Sequence, residues 1–428
     1  MNDLGRGQPQ ALEAVELKGH AGAHPSPTER VRIDRLVAAH AAELSERLSK
    51  QRSALYPPDA QKSLRRFTSG EVARLLGVND AYLRRLHLDG RGPSPEIRSG
   101  GRRFYSPEDI LALRALLETG ARQPGTYLPR RRGAEHLQVI AVVNFKGGSG
   151  KTTTAAHLAQ KAALEGYRVL ALDLDPQASL TTLFGVQPEL DLEGGTLLEA
   201  IRYEAPCPLR TVIRPTYFAG LDLVPGNLEL MEFEHEVPRA LLRGTEGLFF
   251  TRLAERLAEV EADYDIVVMD CPPQLGFLTM SALSAATAVL VTVHPQMLDV
   301  MSMCQFLHMT SDLLGVVAEA GGDTSLDWLR YLITRHEPGD GPQAQMAGFL
   351  RALFGDHVLA NTVLKSTAIS DAGITKQTLY EVDRSAFTRT TYERAIESVD
   401  AVNGEILGLV RGAWGRNALG RNTGREAG

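Results

Sequence analysis

The chain runs to 428 residues, 43% of them hydrophobic and 23% charged, with a formal net charge of −6. That length supports two or three domains with sizeable cores, and the acidic balance excludes a globally basic nucleic-acid binder. Its three cysteines, Cys207, Cys271 and Cys304, show no paired framework and no CxxC spacing, which excludes a disulfide scaffold and fits reduced thiols in a cytoplasm.

In chain order, residues 1–25 carry no hydrophobic periodicity and are expected to be disordered. Within 26–60, the stretch Thr28 to Ser53 is amphipathic, with Ile33, Val37, Ala41, Leu44 and Leu48 at helical spacing and charges between them. Such a helix either packs on a core or dimerises, and the pattern suits both.

The charge then becomes asymmetric. Between Lys62 and Arg132 there are 15 Lys and Arg against 7 Asp and Glu, a local +8 that leaves −14 for the rest of the chain. A basic module ahead of an acidic one is expected when a nucleic-acid reader is attached to an enzyme. Within 61–122, Thr68 and Ser69 are candidate caps for a helix with Val72, Leu75 and Leu76 on one face. Gly77 makes a tight turn, and Asn79 or Asp80 caps a second helix that points Tyr82, Leu83 and Leu86 inward and Arg84 and Arg85 outward, with His87 a further outward candidate. Ile97 to Tyr105 then suits a small hairpin wing around Gly100 and Gly101, placing Arg98, Arg102 and Arg103 near phosphates, and Ser106-Pro107 opens another helix. The order helix, turn, helix, wing, helix resembles a MerR-like winged module. The stretch 123–136, with Pro124, Gly125, Pro129 and the run Arg130 to Arg132, reads as a linker.

From 137 to 416 the pattern is α/β. Gln138 to Phe145 is an apolar run of buried-strand type, followed by KGGSGKTT and a helical stretch, Thr152 to Glu165, that ends at Gly166. Strand, glycine loop, helix is the context a P-loop requires. Gly147, Gly148 and Gly150 let backbone N–H groups close around an anion, the helix N-terminus adds its dipole, Lys151 reaches the β- and γ-phosphates, and the Thr152 hydroxyl suits Mg²⁺. Ser149 and Thr153 complete the candidate phosphate-binding set, and Lys146 is a second lysine where one would suffice to bind a phosphate. Arg168 to Leu174 reads as a second buried strand leading to Asp173 and Asp175, and a third ends in Asp270. Three acids at the ends of two apolar strands after a P-loop suit a metal and water site, with Asp270 in the Walker B role, Asp175 orienting the attacking water and Asp173 supporting the metal. Cys271, beside Asp270, reads as a small buried residue rather than a nucleophile.

The KGGSGKT motif with Lys146 at its start, "DLDPQ" and "DCPP" together resemble the deviant-Walker ATPases, specifically the ParA-type DNA-partition branch. The resemblance spans about 138–402 and includes "LVPGNLELMEFE", "VTVHPQMLDVMSM" and "YLITRHEP". Joined to the winged module, it is similar to the larger plasmid-borne partition proteins of the RepA type in repABC cassettes, which also repress their own operon. The resemblance implies a P-loop fold with a mostly parallel sheet sandwiched by helices, weak hydrolysis of ATP with Mg²⁺, and an ATP-sandwiched homodimer. In that dimer Lys146 crosses to the partner's nucleotide. It implies nonspecific DNA binding by the dimer, a ParB-type partner that stimulates hydrolysis, and operator binding by the winged module. Thr334 and Arg335 lie where relatives approach the adenine. Arg330, Arg335, Lys365, Lys376, Arg384 and Arg389 are candidate DNA contacts, so Arg335 has two possible roles. Met301 stands where the family often has a glycine, which puts the local helix start in question.

Three rival readings have different signatures. A membrane-positioning relative would end in an amphipathic helix, whereas the tail 417–428 has no apolar face and is expected to be disordered. No uninterrupted 18-residue apolar run and no signal peptide are seen, so a soluble, cytoplasmic protein is expected, and the resemblance implies that it associates with the nucleoid. An iron–sulfur relative would need cysteines at cluster spacing. A nucleotide-sensing repressor without motor activity would carry the same motifs, and kinetics separate it.

Overall fold

The computed structural model describes residues 32–55, 62–188, 195–244 and 248–416. The expectations for 1–25 and 417–428 therefore lie outside the described residues. The chain divides into two compact units, 1–61 and 62–428. In the first, helix α1 (Ile33–Leu55) carries an i,i+4 ion pair between Glu43 and Arg47 at 2.6 Å, and its apolar residues Ile33, Leu36, Val37 and Leu44 are exposed.

The second unit opens with the basic module: strand β1 (Phe67–Thr68), helices α2 (Ser69–Leu76) and α3 (Asp80–Leu88), strands β2 (Glu96–Arg98) and β3 (Arg102–Tyr105), and helix α4 (Pro107–Thr119). Local chemistry sets each boundary. Thr68 and Glu71 form a reciprocal capping box at α2, Gly77 ends that helix at φ 65, and the Asn79 side chain accepts from the amide of Ala81 at 2.8 Å to start α3. Ser106 and Asp109 form a second capping box, with Pro107 in the first turn of α4. The wing gains a third strand that its hairpin pattern does not reveal: β1 pairs antiparallel with β3, bringing Phe67 opposite Tyr105. Val72, Leu76, Leu83, Leu86, Ile110 and Leu113 fill the core beneath. Tyr82, expected to point inward, is instead 42% exposed. On a helix as short as α3, Leu83 and Leu86 one turn apart already occupy the inward stripe, and Tyr82 falls to its side.

The stretch read as a linker is folded onto the neighbouring module. The Glu118 carboxylate accepts from the amides of Tyr127 at 2.8 Å and Leu128 at 3.0 Å, the Arg131 amide donates to Asp265 at 3.0 Å, and Arg416 donates to the carbonyls of Pro129 at 2.8 Å and Arg130 at 2.6 Å. Arg114, only 4% exposed, reaches across from α4. It donates to the carbonyls of Leu75 and Leu164, each at 2.8 Å, and of Tyr127 at 2.9 Å. One hydrophobic cluster runs through both modules.

The larger module alternates strands and helices: β4 (Gln138–Val143), α5 (Lys151–Leu164), β5 (Val169–Asp173), α6 (Ser179–Leu183), α7 (Leu197–Ile201), β6 (Arg214–Pro215), β7 (Leu221–Val224), α8 (Met231–Arg243), α9 (Arg252–Ala258), β8 (Ile266–Asp270), α10 (Phe277–Ala285), β9 (Ala288–Val293), α11 (Met297–Glu319), β10 (Trp328–Ile333), α12 (Gly341–Phe354), α13 (Thr367–Ile374) and α14 (Arg389–Ala413). Seven strands form one sheet in the order β10-β9-β4-β8-β5-β7-β6, parallel except for the β6 edge. Every residue of β4, β5, β8 and β9 is buried, as strands covered on both faces require. From β4 the chain crosses to β5 on one side, and later returns to β9 on the other, which makes the carboxyl end of β4 a topological switch point.

Helix α11 is long and apolar enough, by length and composition, to cross a membrane. Its two ends join β9 and β10, parallel neighbours in the same sheet, so its place is that of a crossover helix. The missing glycine leaves its start intact: α11 begins at Met297, and Met301 sits within it, 58% exposed.

Candidate nucleotide-binding site and DNA-reading face

The loop 144–150 leaves the carboxyl end of β4 and turns into α5. Gly148 at φ 78 and Gly150 at φ 88 occupy the left-handed region, where a side chain would be strained. Behind the loop, the Thr334 hydroxyl donates to the Ser149 carbonyl at 2.7 Å, Thr292 donates to the Ser149 hydroxyl at 3.0 Å, and Arg335 donates to the Gly148 carbonyl at 3.2 Å. Thr334 and Arg335 follow β10 directly, and the sheet order brings them to the loop across β9. Both residues thus lie against the phosphate loop.

The two lysines of the loop are held differently. Lys151, in the first turn of α5, is 7% exposed, and burial lowers its pKa against the raising effect of the Asp270 and Asp175 charges. Lys146 has its amide held by the Asn144 side chain at 2.9 Å, while its ammonium lies at the rim, 2.7 Å from the carboxylate of Asp299 on α11. The sequence pattern did not single out Asp299, although it lies within "HPQMLDV".

The acids sit at adjacent strand ends. Asp173 and Asp270 are register partners across β5 and β8, and both are fully buried. Asp173 accepts from the amide and hydroxyl of Thr181 on α6, each at 2.7 Å, and from the amide of Asp175 at 3.2 Å. Burial pushes its carboxyl up to about 7. Thr152 lies beside Asp270, yet neither Asp270 oxygen receives a well-formed hydrogen bond. Burial, reinforced by the Asp173 charge, drives the Asp270 carboxyl well above the ordinary range. Asp175 is half-buried, and accepts from the amide of Gln177 at 3.0 Å. Cys271 is a free, buried thiol whose pKa burial raises, the opposite of what a nucleophile needs.

On the basic module, Arg84 and Arg85 project from α3 into solvent, with Arg85 3.7 Å from Asp89. On the wing, Arg98 pairs with Glu96 at 2.7 Å and lies 4.6 Å from the Phe104 ring centroid, Arg102 is exposed, and Arg103 is half-buried with its Nε unpartnered. Several late basic residues are already engaged: Lys365 with Glu337 at 2.9 Å, and Arg384 and Arg389 with a shared Glu393.

A doubly wound sheet with a two-lysine phosphate loop at its switch point and acids on two neighbouring strands defines a P-loop nucleoside triphosphatase of the deviant-Walker kind. Residues 137–316 match the AAA domain family model, and 68–105 match the model of the MerR family regulatory proteins. A protein of Sinorhizobium fredii (strain NBRC 101917 / NGR234) designated replication protein A is 54% identical over 92% of this chain and 98% of its own length. The chromosome partitioning protein ParA of Caulobacter vibrioides (strain NA1000 / CB15N) is 31% identical over 56% of this chain and 85% of its own. A solved structure described as a partition protein superposes with a TM-score of 0.61 over 88% of this chain and 99% of its own, and at 20% identity it speaks for the fold alone. The chain belongs to the ParA-type family of partition ATPases, in the form that carries an N-terminal DNA-binding region.

Proposed function

We propose that this chain is an ATP-dependent plasmid-partition protein that also represses its own operon. One observation carries the reading: within a single loop, Lys151 is sunk beside buried acids while Lys146 stands at the rim on an ion pair with Asp299. One lysine serves the bound phosphates of its own chain, and the other is placed to leave it.

The loop amides of Gly147 to Gly150, with Lys151, Thr152 and Thr153, cradle the phosphates of ATP, and Thr334 and Arg335 flank the base. Asp270 is a buried carboxylate whose oxygens have no well-formed hydrogen bond and whose charge only Lys151 opposes, a group that a divalent cation fits. Thr152 and Asp270 would hold Mg²⁺, with Asp173 behind them, and its chemistry there is neutralisation of phosphate charge. Asp175 orients the attacking water and accepts its proton. Lys146 exchanges Asp299 for the nucleotide of a second copy, closing a sandwich homodimer in which it stabilises transition-state charge from the partner's side. That dimer holds nonspecific DNA on the nucleoid, and a ParB-type partner bound at the centromere accelerates hydrolysis and dissolves it. The winged module reads the operator through Arg84 and Arg85 from α3, with Arg98, Arg102 and Arg103 on the wing fixing its register.

The test is ATP turnover by the purified chain alone, with nonspecific duplex DNA, and with its ParB-type partner added. Slow basal turnover that rises with DNA and partner together is expected. Bound ATP with no turnover under any condition would overturn the motor reading and leave a nucleotide-sensing repressor.

A further inference from the structure

The approach to the winged module is wedged into the ATPase next to the segment that carries Asp175. The Lys62 side chain, 19% exposed, donates to the carbonyl of Leu183 and to that of Lys376 at 2.6 Å, and pairs with Glu381 at 2.7 Å. Its ammonium lies 4.8 Å from the ring centroid of Tyr217, whose hydroxyl donates to the same Glu381 oxygen at 2.5 Å. The other oxygen of Glu381 accepts from the Thr378 amide at 2.7 Å and from Gln160, on α5, at 3.3 Å. A single buried carboxylate thus joins the lead into the DNA reader to the helix that begins at Lys151.

Leu183 is the last residue of α6, whose other end is tied to the acids. The Asp175 carbonyl accepts from the Ala178 amide at 2.8 Å, and Asp173 holds Thr181 at 2.7 Å. Ala178, immediately before α6, sits at φ 52, and Lys376, whose carbonyl Lys62 grips, sits at φ 53. Both are left-handed conformations that non-glycine residues keep only where the surroundings impose them. Helix α6 is five residues long, short enough to move as one piece between Asp175 and Lys62. Farther along α5, Arg114 grips Leu164 from α4. Arg65 adds a bond to the Tyr380 carbonyl at 3.2 Å. Among these contacts, Arg114 holds the module at the end of α5 remote from the phosphate loop, and Lys62 holds the approach to it at the end of the segment that follows Asp175.

We infer that Lys62 is a positioning residue that couples the Asp175 segment to the DNA-reading module, with Arg114 as the fixed point. A shift of the Asp175 turn on nucleotide binding travels along α6 to Leu183 and re-seats the Lys62 bracket, which changes how α3 and the wing are presented. Coupling between sites is reciprocal in binding free energy, so operator binding biases nucleotide affinity by the same factor. This inference rests on the nucleotide and DNA sites proposed above.

The experiment measures the affinity of the full-length chain for a duplex spanning the DNA immediately upstream of its own coding region, with and without Mg-ADP and Mg-ATP, and with a scrambled duplex as control. The variant is the pair Lys62→Met with Glu381→Gln, which removes both buried charges together and avoids stranding one of them. Wild type is expected to change affinity by roughly 5–150-fold on adding nucleotide. In the variant that ratio falls toward 1, while nucleotide-free DNA affinity and the KM for ATP stay within about twofold, a split that general loosening of the fold would not produce. A variant that keeps the wild-type ratio overturns the inference, as does a wild type that binds both ligands without mutual effect. A wild type that binds no nucleotide, or no specific DNA, overturns instead the functional reading beneath it. Hydrogen exchange on the unmodified chain provides a second measure. Mg-ATP is expected to change protection in α6, 62–66 and 376–381 together, and a response confined to the phosphate loop would refute the coupling.

Discussion

Replacing Asp270 with asparagine is expected to stabilise the nucleotide-free protein. Asp270 is fully buried, faces Asp173 across β5 and β8, and has no well-formed hydrogen bond to either oxygen, with only the Lys151 charge opposing its own. In the unfolded chain both acids titrate near the ordinary value of ~3.9. In the folded chain burial raises Asp173 to about 7, and burial with the Asp173 charge raises Asp270 well above the ordinary range. Above pH ~4, therefore, the folded state binds more protons than the unfolded one, so stability is lost as the pH rises and the penalty is complete only above the folded values. The amide in Asp270→Asn still lacks partners but carries no charge. Each unit by which the folded state raises the carboxyl costs ~1.4 kcal/mol above it, so at pH 8 the gain should be about 1–3 kcal/mol, and at pH 5 it should shrink because the carboxyls are protonated. For a unit of this size the Tm rises by roughly 2–6 °C at pH 8. Scanning calorimetry of both proteins at the two pH values, without nucleotide or Mg²⁺, measures it, and the variant should also lose any stabilisation by Mg-ATP. An asparagine variant that melts below wild type at pH 8, or gains equally at both pH values, would refute the view that Asp270 is a charge held ready for a cation.

Further expectations follow from the same geometry. Lys151→Ala should abolish nucleotide binding, and ATP affinity retained in an equilibrium titration would remove the site from this loop. Asp175→Ala should bind ATP yet turn it over roughly 10²–10⁴-fold more slowly, the range for a positioned proton acceptor, whereas normal turnover would strip Asp175 of that role. Arg114→Met leaves one buried and two part-buried carbonyls without a donor, so urea unfolding should show a loss of about 2–4 kcal/mol, and a change under about 1 kcal/mol would mean that water replaces the guanidinium. Arg84→Ala should weaken operator binding and reduce the slope of log affinity against log salt by about 1 if the contact is to phosphate, or relax sequence preference if it is to a base; no change in either would take α3 off the DNA.

Sequence reasoning was strongest where the controlling chemistry is local. The strand, loop and helix of the phosphate site depend on residues within about fifteen positions, and β4 and α5 fall where the apolar run and KGGSGKT place them. The winged module was legible for the same reason, because Thr68 with Glu71 and Ser106 with Asp109 complete their caps within three residues. Its β1 strand was missed because two residues carry no period, and only pairing with β3 makes Phe67–Thr68 a strand. The stretch 123–136 reads as a linker because proline and glycine mark turns, but turns do not reveal whether a segment is packed, and here Glu118, Asp265 and Arg416 hold it down.

By itself, the sequence determined the class of chemistry: a glycine loop with two lysines, acids at the ends of buried strands, and a basic helical module ahead of them. Hydrophobic period and turn chemistry record which side chains are buried and where the backbone bends, and those are nearest-neighbour properties. Tertiary structure decided which partners meet. It set Asp173 beside Asp270 through strand register, Lys146 on Asp299 across 153 positions, and Lys62 on Glu381 in a shared interior. Such pairings depend on the crossing of distant segments, and an ion pair between them leaves no periodic trace along the chain.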